Sequence, residues 1–464
     1  SINLKTSKMK KTILILITAL IGGTLSFGRH SGPIIDEITG IWLGKLKPTE
    51  QLELRIAYEI KKTESGQLTA FMNILEQKAM NIPMDGISFK GDTIRIQFIA
   101  GNIEFFGIYQ KEPQRLEGSF TQAGKSFPLV LTKVDELPKA VIRPQTPQPP
   151  FPYLAEEILI ENKVAGVNLS GTLTIPNSGK PNPAVILIAG SGKNDRNGTK
   201  MGHFLLLADY LTRRGYVVLR SDKRGVGKST GDYAAATTED FASDIQAAVE
   251  FLKTRPEVDA RSVGLIGHSE GALIAPMVAA SRKDISFLVL MGGVGLRGDE
   301  LLLLQTRKLT GATGASPDAI EEQVNQFRNY YSIIHEKIED SAKINRIRKV
   351  NPEVSDATVK MLMKPWISYF TTCDPATYLK KVKCPVLAVT GSKDLQCPPE
   401  ENLKGIESAL KAGKNRHYTT RTLPGLNHLF QTAQSGSPLE YEKTEEIIAP
   451  AALEFIAEWM GKQY

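Results

Sequence analysis

Residues 262–280 run a continuously apolar strand, SVGLIG, straight into the turn GHSEG and out again into an apolar helix, ALIAPMVAA. A strand that is apolar on both sides has to be covered on both faces, as happens in a parallel sheet with helices above and below it. A turn that joins such a strand to a helix without a spacer leaves room only for glycine beside its central residue. Gly267 and Gly271 therefore frame Ser269 and hold it above the sheet edge at a helix N-terminus. That context, more than the bare G-x-S-x-G pattern, makes Ser269 a candidate nucleophile. Pro276 removes one hydrogen bond from the helix and is expected to bend it slightly.

The remaining chain divides by periodicity. In residues 36–133, Leu52, Leu54, Ile56, Tyr58 and Ile60 alternate with Glu53, Arg55, Ala57 and Glu59, and Ile94, Ile96 and Phe98 alternate with Arg95 and Gln97. This period of two predicts a small antiparallel β domain, a barrel or sandwich of about seven or eight strands. Residues 134–152 are rich in proline and predict an extended linker. From residue 153 strands alternate with helices at about 202–214, 238–254, 270–281, 399–412 and 441–460. The class is α/β, a hairpin followed by a mainly parallel sheet of eight strands. Between about 296 and 381 no strand is legible. Ile320, Val324, Phe327, Tyr331, Ile334 and Ile338 instead recur at helical spacing, so this interval reads as a helical insertion.

A serine hydroxyl is a weak nucleophile and needs a base, which in turn needs an acid to fix its tautomer. With a strand–turn–helix nucleophile the order along the chain is Ser, acid, His, with the acid after a late strand and the histidine after the last. Asp394, behind PVLAVTGSK, and His428, behind RTLPGLN, fall at those places. His203 is the rival base but precedes the serine, and Asp374 is a rival acid that precedes the strand it should follow. His268 is expected to point away from Ser269. For the oxyanion, the N–H of Glu270 and that of Ser191 are the candidate donors, with Gly192 second to Ser191. The Glu270 carboxylate reads as a charge near the helix N-terminus. Trp366 and Phe370 are four apart and share a helix face, with Tyr369 beside them. They are candidates for a substrate pocket or for the insertion's own core.

Other classes are excluded by residue chemistry. The stretch SDKRGVGKST ends like a phosphate loop, yet the glycine required five residues before Gly227 is Asp222, a carboxylate that would face the anion. The stretch reads as scaffold, with Asp222 and Arg224 expected to pair beneath the site, and no nucleotide is expected. The formal net charge of +7 includes Lys5, Lys8, Lys10 and Lys11 in a start segment without acidic residues, which leaves +3 for the rest. That is too mild for a nucleic-acid partner. The segment from Met9 to Gly28, with two lysines, a short apolar run and small residues after it, predicts a signal peptide over 1–28 and export to the periplasm or beyond, with no stable membrane insertion after cleavage. Three cysteines, Cys373, Cys384 and Cys397, leave at least one free thiol, and the strand between the last two keeps that pair too far apart to bridge.

Taken together, AGSGKNDRNG, SDKRGVGKSTGD, GHSEGALIAP, GSKDLQCPPE and LPGLNHLF, in this order, resemble the exported bacterial α/β-hydrolases grouped with esterase D and serine-aminopeptidase-type hydrolases. The resemblance covers nearly the whole chain after the start segment, and such proteins also carry an N-terminal β domain. It implies the α/β-hydrolase fold with the insertion as a lid. It also implies carboxylesterase activity on short or medium acyl esters, a small-molecule ester as partner, and neither metal nor cofactor. Ala189-Gly190 replaces the familiar His-Gly oxyanion motif, and Cys397 stands where an aliphatic residue is more usual. A serine aminopeptidase is the alternative, with acidic groups at 298–300 and 335–340 as candidates to hold a free amine. A non-catalytic binding protein ranks third. The sequence assigns no oligomeric state.

Overall fold

A computed structural model describes residues 37–49, 52–77, 79–138, 143–198 and 201–463. The expected signal peptide over 1–28 lies outside them. The chain falls into two compact units divided between residues 140 and 141, and each is described by itself.

The first unit is one antiparallel sheet of nine strands. In chain order they are β1 (Gly40–Thr49), β2 (Leu52–Lys62), β3 (Leu68–Ile74), β4 (Ala79–Pro83), β5 (Gly86–Lys90), β6 (Thr93–Phe98), β7 (Ile103–Gln110), β8 (Arg115–Gln122) and β9 (Lys125–Val134). The sheet order is β4-β3-β2-β1-β9-β8-β7-β6-β5, so the first and last strands pair at its centre, with Ile41 opposite Val134. Alternation sends Ile103, Phe105 and Tyr109 of β7 inward and leaves Phe106 and Ile108 exposed. Trp42, Tyr58, Met72, Phe105 and Leu131 fill the core behind that face. The strand count exceeds the expectation of seven or eight because the two short edge strands, β4 and β5, carry too few inward apolar residues to read as alternation.

The second unit holds a sheet of eight strands. They are β10 (Tyr153–Asn162), β11 (Val167–Pro176), β12 (Asn182–Ile188), β13 (Val217–Ser221), β14 (Val258–His268), β15 (Leu288–Met291), β16 (Val386–Gly391) and β17 (Tyr418–Leu423). Their order is β10-β11-β13-β12-β14-β15-β16-β17, antiparallel up to β13 and parallel from there on. Successive side chains of one strand serve opposite layers. Val185, Val218, Ile266 and Val389 belong to the core layer that holds α1 (His203–Thr212), while Ile186, Leu219, Leu265 and Ala388 belong to the layer that holds α2 (Thr238–Lys253) and α3 (Gly271–Ser281). This double coverage is why the strands are continuously apolar. The chain leaves β12 for β13 on one side and returns to β14 on the other. The C-terminal ends of β12 and β14 therefore flank the crevice where strand order reverses, the usual place for a ligand in such sheets.

Between β15 and β16 the insertion contains α4 (Gly298–Gly311), α5 (Pro317–Ile334), α6 (Asp340–Val350), α7 (Asp356–Leu362), α8 (Pro365–Thr372) and α9 (Ala376–Leu379). Val324, Tyr331 and Ile334 of the expected stripe are buried in α5, whereas Ile338 lies beyond its end and is exposed. After β16 comes α10 (Pro399–Ala412), which joins α2 and α3 on their face of the sheet.

The last helix, α11, spans Pro450–Gly461 and starts nine residues later than the expected 441. Pro450 suits the first helical turn, where its missing N–H costs nothing. The residues just before it are engaged elsewhere. Ile447 N–H (2.5 Å) and Ile448 N–H (3.3 Å) donate to Gln145 Oε1, and Gln145 Nε2 donates to the Ile448 carbonyl at 2.7 Å. Arg143 Nη2 donates to the Glu442 carbonyl at 2.8 Å, so this end of the proline-rich segment is hydrogen-bonded to the second unit instead of running free. Among the described residues no helix is long and apolar enough to cross a membrane.

Candidate active site

The turn after β14 is as tight as its glycines require. A Cβ on Gly267 would lie 2.0 Å from the Gly271 carbonyl oxygen, and one on Gly271 would lie 2.0 Å from that of Ile188. Ser269 takes a φ of 56°, a conformation costing on the order of 1 kcal/mol or more that persists only where the surroundings enforce it. The enforcing bonds are from Ser269 N–H to the Met291 carbonyl (2.9 Å) and from Ala272 N–H to the Ser269 carbonyl (2.8 Å). The serine is thereby pinned between β15 and the first turn of α3.

Two other strand ends deliver the acid and the base. Asp394 follows β16 and His428 follows β17, and Nδ1 of the imidazole lies 2.7 Å from Asp394 Oδ2. Their side chains are 4% (His428) and 0% (Asp394) exposed. The other carboxylate oxygen, Oδ1, accepts the N–H groups of Gln396 and Cys397, both at 2.8 Å, which fixes its plane. Asn427 braces the histidine turn, its Oδ1 accepting from Leu429 N–H and Gln431 N–H at 3.0 Å each. Gly292, at φ 57°, follows β15, and a Cβ there would come within 3.1 Å of the imidazole and 3.3 Å of Asp394 Oδ2. The sequence reading did not single out Gly292, although a Gly-Gly pair at a parallel strand's C-terminal end is the available signal.

His268 is buried among other histidines. Strand alternation places it on the same face as Ile266, where its ring lies 4.7 Å from that of His428 and 5.3 Å from that of His203. Its Nε2 is 2.8 Å from the His428 carbonyl, which only accepts, so Nε2–H donates. Burial, then the neighbouring His428, pushes the His268 pKa down to about 3. His203 is also buried and pushed well below the usual histidine range, and it packs on His268 and Phe204. Asp374 is exposed and accepts Ala376 N–H at 2.9 Å at the start of α9, away from the histidine.

The loop after β12 comes up against the serine, since a Cβ on Gly190 would lie 3.0 Å from Ser269 Cβ. Asn194 Nδ2 donates to the carbonyls of Gly190 (3.0 Å) and Ser191 (2.9 Å). In a trans peptide the N–H points opposite to the C=O, so the Ser191 amide is turned away from Asn194. Burial pushes the Tyr233 phenol up to about 12, with the nearby Gly192 backbone acting in the opposite direction.

The expected Asp222–Arg224 pair does not form. Asp222 is held by Arg196, with Nη2 at 2.8 Å and Nε at 3.0 Å, and also accepts the N–H of Lys228 at 3.1 Å. Arg224 turns to α2, where Asp244 takes its Nε and Nη2 at 2.8 Å and Asp240 its Nη1 at 3.0 Å. Both residues lie past the end of β13, where strand alternation no longer applies, and each turns to a different element, Asp222 to the loop after β12 and Arg224 to α2. Lys228 is 78% exposed and lies 3.8 Å from Glu157. Lys223, overlooked in the sequence, is buried, with its ammonium 3.1 Å from Glu270 Oε2 and 4.1 Å from the Phe241 ring centre.

Glu270 is fully enclosed. Besides Lys223 it accepts Thr238 Oγ1–H at 2.8 Å and the indole N–H of Trp366 at 2.6 Å. Trp366 stacks on Phe370, with ring centres 4.7 Å apart and planes at 18°, and Tyr369 meets Tyr378, hydroxyl to hydroxyl, at 3.4 Å. All three cysteines are free thiols. Burial raises the Cys397 thiol well above its usual range, with the nearby Ser269 hydroxyl acting in the opposite direction.

Residues 180–432 match the family described as Serine aminopeptidase, S33. Among curated proteins the chain is similar to "Esterase EstD" of Thermotoga maritima, 28% identical over 318 residues, which cover 67% of this chain and 69% of the relative. It is also similar to "Bifunctional esterase/perhydrolase DCH" of Acinetobacter calcoaceticus, 25% identical over 240 residues, or 49% of this chain and 80% of that one. Among solved structures the Pyrococcus furiosus esterase Pf2001 aligns at 20% identity with a TM-score of 0.43, covering 70% of this chain and all of that one.

Proposed function

The chain belongs to the serine aminopeptidase S33 family of hydrolases, and from that premise we propose that it cleaves carboxylic esters of short or medium acyl chain through an acyl-enzyme on Ser269. The observation that carries this reading is the buried His428–Asp394 pair beside the strained elbow serine. An ionised carboxylate only accepts, so Nδ1 donates to Asp394 and Nε2 keeps its lone pair. Nε2 takes the Ser269 proton as Oγ attacks the ester carbon. The C=O electrons move to the oxygen, which is met by the N–H groups of Ser191 and Glu270. Collapse expels the alcohol, which leaves with the proton from His428. Water then repeats the sequence on the acyl-enzyme and releases the acid.

The Ser269 hydroxyl lies beside the Cys397 thiol, and the proposed step requires it to reach Nε2 of His428. Helices α4–α9 form the lid in this reading, with the half-buried Trp366 and Tyr369 as the candidates to meet the acyl group, while Phe370 is buried in the core.

Three of the acidic groups that a free amine would need are already paired, which weighs toward esters over peptides, while Glu300 and Glu339 are exposed. Asp299 is held by Arg297 at 2.6 Å through two bonds, Glu336 by Arg346 and Asp340 by Lys343 at 3.4 Å. Glu270 is committed to Lys223, Thr238 and Trp366. The esterase name of the Thermotoga relative points the same way. Export of the protein is part of the proposal and rests on residues 1–28 alone.

The test is a panel of p-nitrophenyl acyl esters beside aminoacyl and prolyl amides, run on the wild type and on Ser269→Ala. Esters of short or medium chain should lead in kcat/KM, and the variant should lose several orders of magnitude while staying folded. Higher kcat/KM on the amides would favour the peptidase reading.

A further inference from the structure

Glu270 carries two functions on one residue. In the reading above its backbone N–H meets the oxyanion, and its carboxylate, 2% exposed, is the meeting point of three other elements. Lys223 comes from the turn after β13, Thr238 is the first residue of α2, and Trp366 is on α8 of the insertion. Oε1 accepts from Thr238 (2.8 Å) and Trp366 (2.6 Å), and Oε2 faces the Lys223 ammonium (3.1 Å). None of these donors is free to wander. Lys223 lies over Phe241, Trp366 is stacked on Phe370, and Phe370 is buried where α8 meets α4 so closely that a Cβ on Gly298 would come within 1.8 Å of its carbonyl oxygen. A buried carboxylate that loses one such donor has no water to replace it, so the side chain shifts to recover its bonds and the backbone follows.

We infer that the indole N–H of Trp366 is a positioning group for the oxyanion site. It clamps the Glu270 carboxylate, and so aims the Glu270 backbone N–H and makes turnover depend on the seating of the helical insertion. The inference rests on the reading of Glu270 N–H as an oxyanion donor. It assigns Trp366 a part beyond lining an acyl pocket: the ring face contacts the chain, and the ring nitrogen acts through Glu270 on the transition state.

Trp366→Phe tests this, because it keeps an aromatic ring to stack on Phe370 and loses the N–H together with the five-membered ring that carries it. Steady-state kinetics on p-nitrophenyl butyrate, the acyl-chain profile and the affinity for a trifluoromethyl ketone, which forms a tetrahedral adduct with a serine nucleophile, are measured together. A displaced donor costs about tenfold or more in kcat. The expected result is that loss with KM within about twofold of wild type and a parallel loss of ketone affinity. Wild-type kcat and ketone affinity overturn the inference, whether or not the chain profile moves. If Trp366→Phe fails to fold, the double variant Lys223→Met/Glu270→Leu, which removes the carboxylate acceptors and the charge they would leave unpaired, is expected to show the same split of kcat from KM, and near-wild-type kcat in that variant overturns the inference equally. Turnover retained by Ser269→Ala would defeat the underlying reading of the nucleophile, whereas an inert Ser269→Ala beside a fully active Trp366→Phe defeats only the clamp.

Discussion

Asp394 takes part in three hydrogen bonds, and only the one to His428 bears on chemistry; the N–H groups of Gln396 and Cys397 serve to hold its plane. Asp394→Asn puts an amide opposite Nδ1 and lets the imidazole adopt the tautomer whose Nε2 is protonated. That variant should keep KM near its wild-type value and lose most of kcat, on the order of 10⁴-fold, in assays on p-nitrophenyl butyrate. His268 answers to pH in a different way. Its folded pKa, about 3, lies below the ordinary histidine value near 6.5. The unfolded chain therefore binds a proton that the folded chain refuses between those values. The stabilising contribution is complete above pH 6.5 and is lost as pH falls toward 3, with buried His203 acting in the same direction. Melting temperatures measured from pH 7.5 down to pH 4.5 should fall less steeply for His268→Gln than for wild type; an equal slope would show that His268 titrates freely. The tight turn at Ser269 and the pairing of Asp394 with His428 were legible because a local motif and chain order specify them. The Arg196–Asp222 and Lys223–Glu270 pairs were not, because each partner lies on a different element and only the packed sheet brings them together.

At the scale of elements, the strands of the second unit were readable from continuous apolar runs, and most helices from their period. The start of α11 was not readable, because residues 444–449 have helical composition and are held out of the helix by a distant side chain. Gln145 supplies both an acceptor and a donor to Ile447 and Ile448, bonds that span about 300 residues of sequence, as far from local as this chain allows. Gln145→Ala leaves those buried backbone groups unpaired and should destabilise the second unit by about 1–3 kcal/mol in urea unfolding, with kcat and KM on p-nitrophenyl butyrate unchanged. A stability equal to wild type would mean that the segment is held by its prolines alone. The short edge strands β4 and β5 were missed for the opposite reason: five residues each, with Asn81 at φ 55° in one of them, give alternation too little length to register.

Across the whole molecule, the ends of β12, β14, β15, β16 and β17 converge on one crevice and bring Gly190, Ser269, Gly292, Asp394 and His428 together from positions more than 200 residues apart. The insertion between β15 and β16 reaches the same place through Trp366. The central claim is that Ser269 is the atom-bearing nucleophile of this assembly. Stoichiometric labelling with a fluorophosphonate, followed by peptide mapping and a parallel esterase assay, tests it most directly. The account predicts one adduct per chain, on Ser269, with p-nitrophenyl butyrate hydrolysis lost in proportion to labelling and no adduct in Ser269→Ala. Full esterase activity in protein labelled at Ser269, or loss of activity with the adduct on another residue, would contradict it.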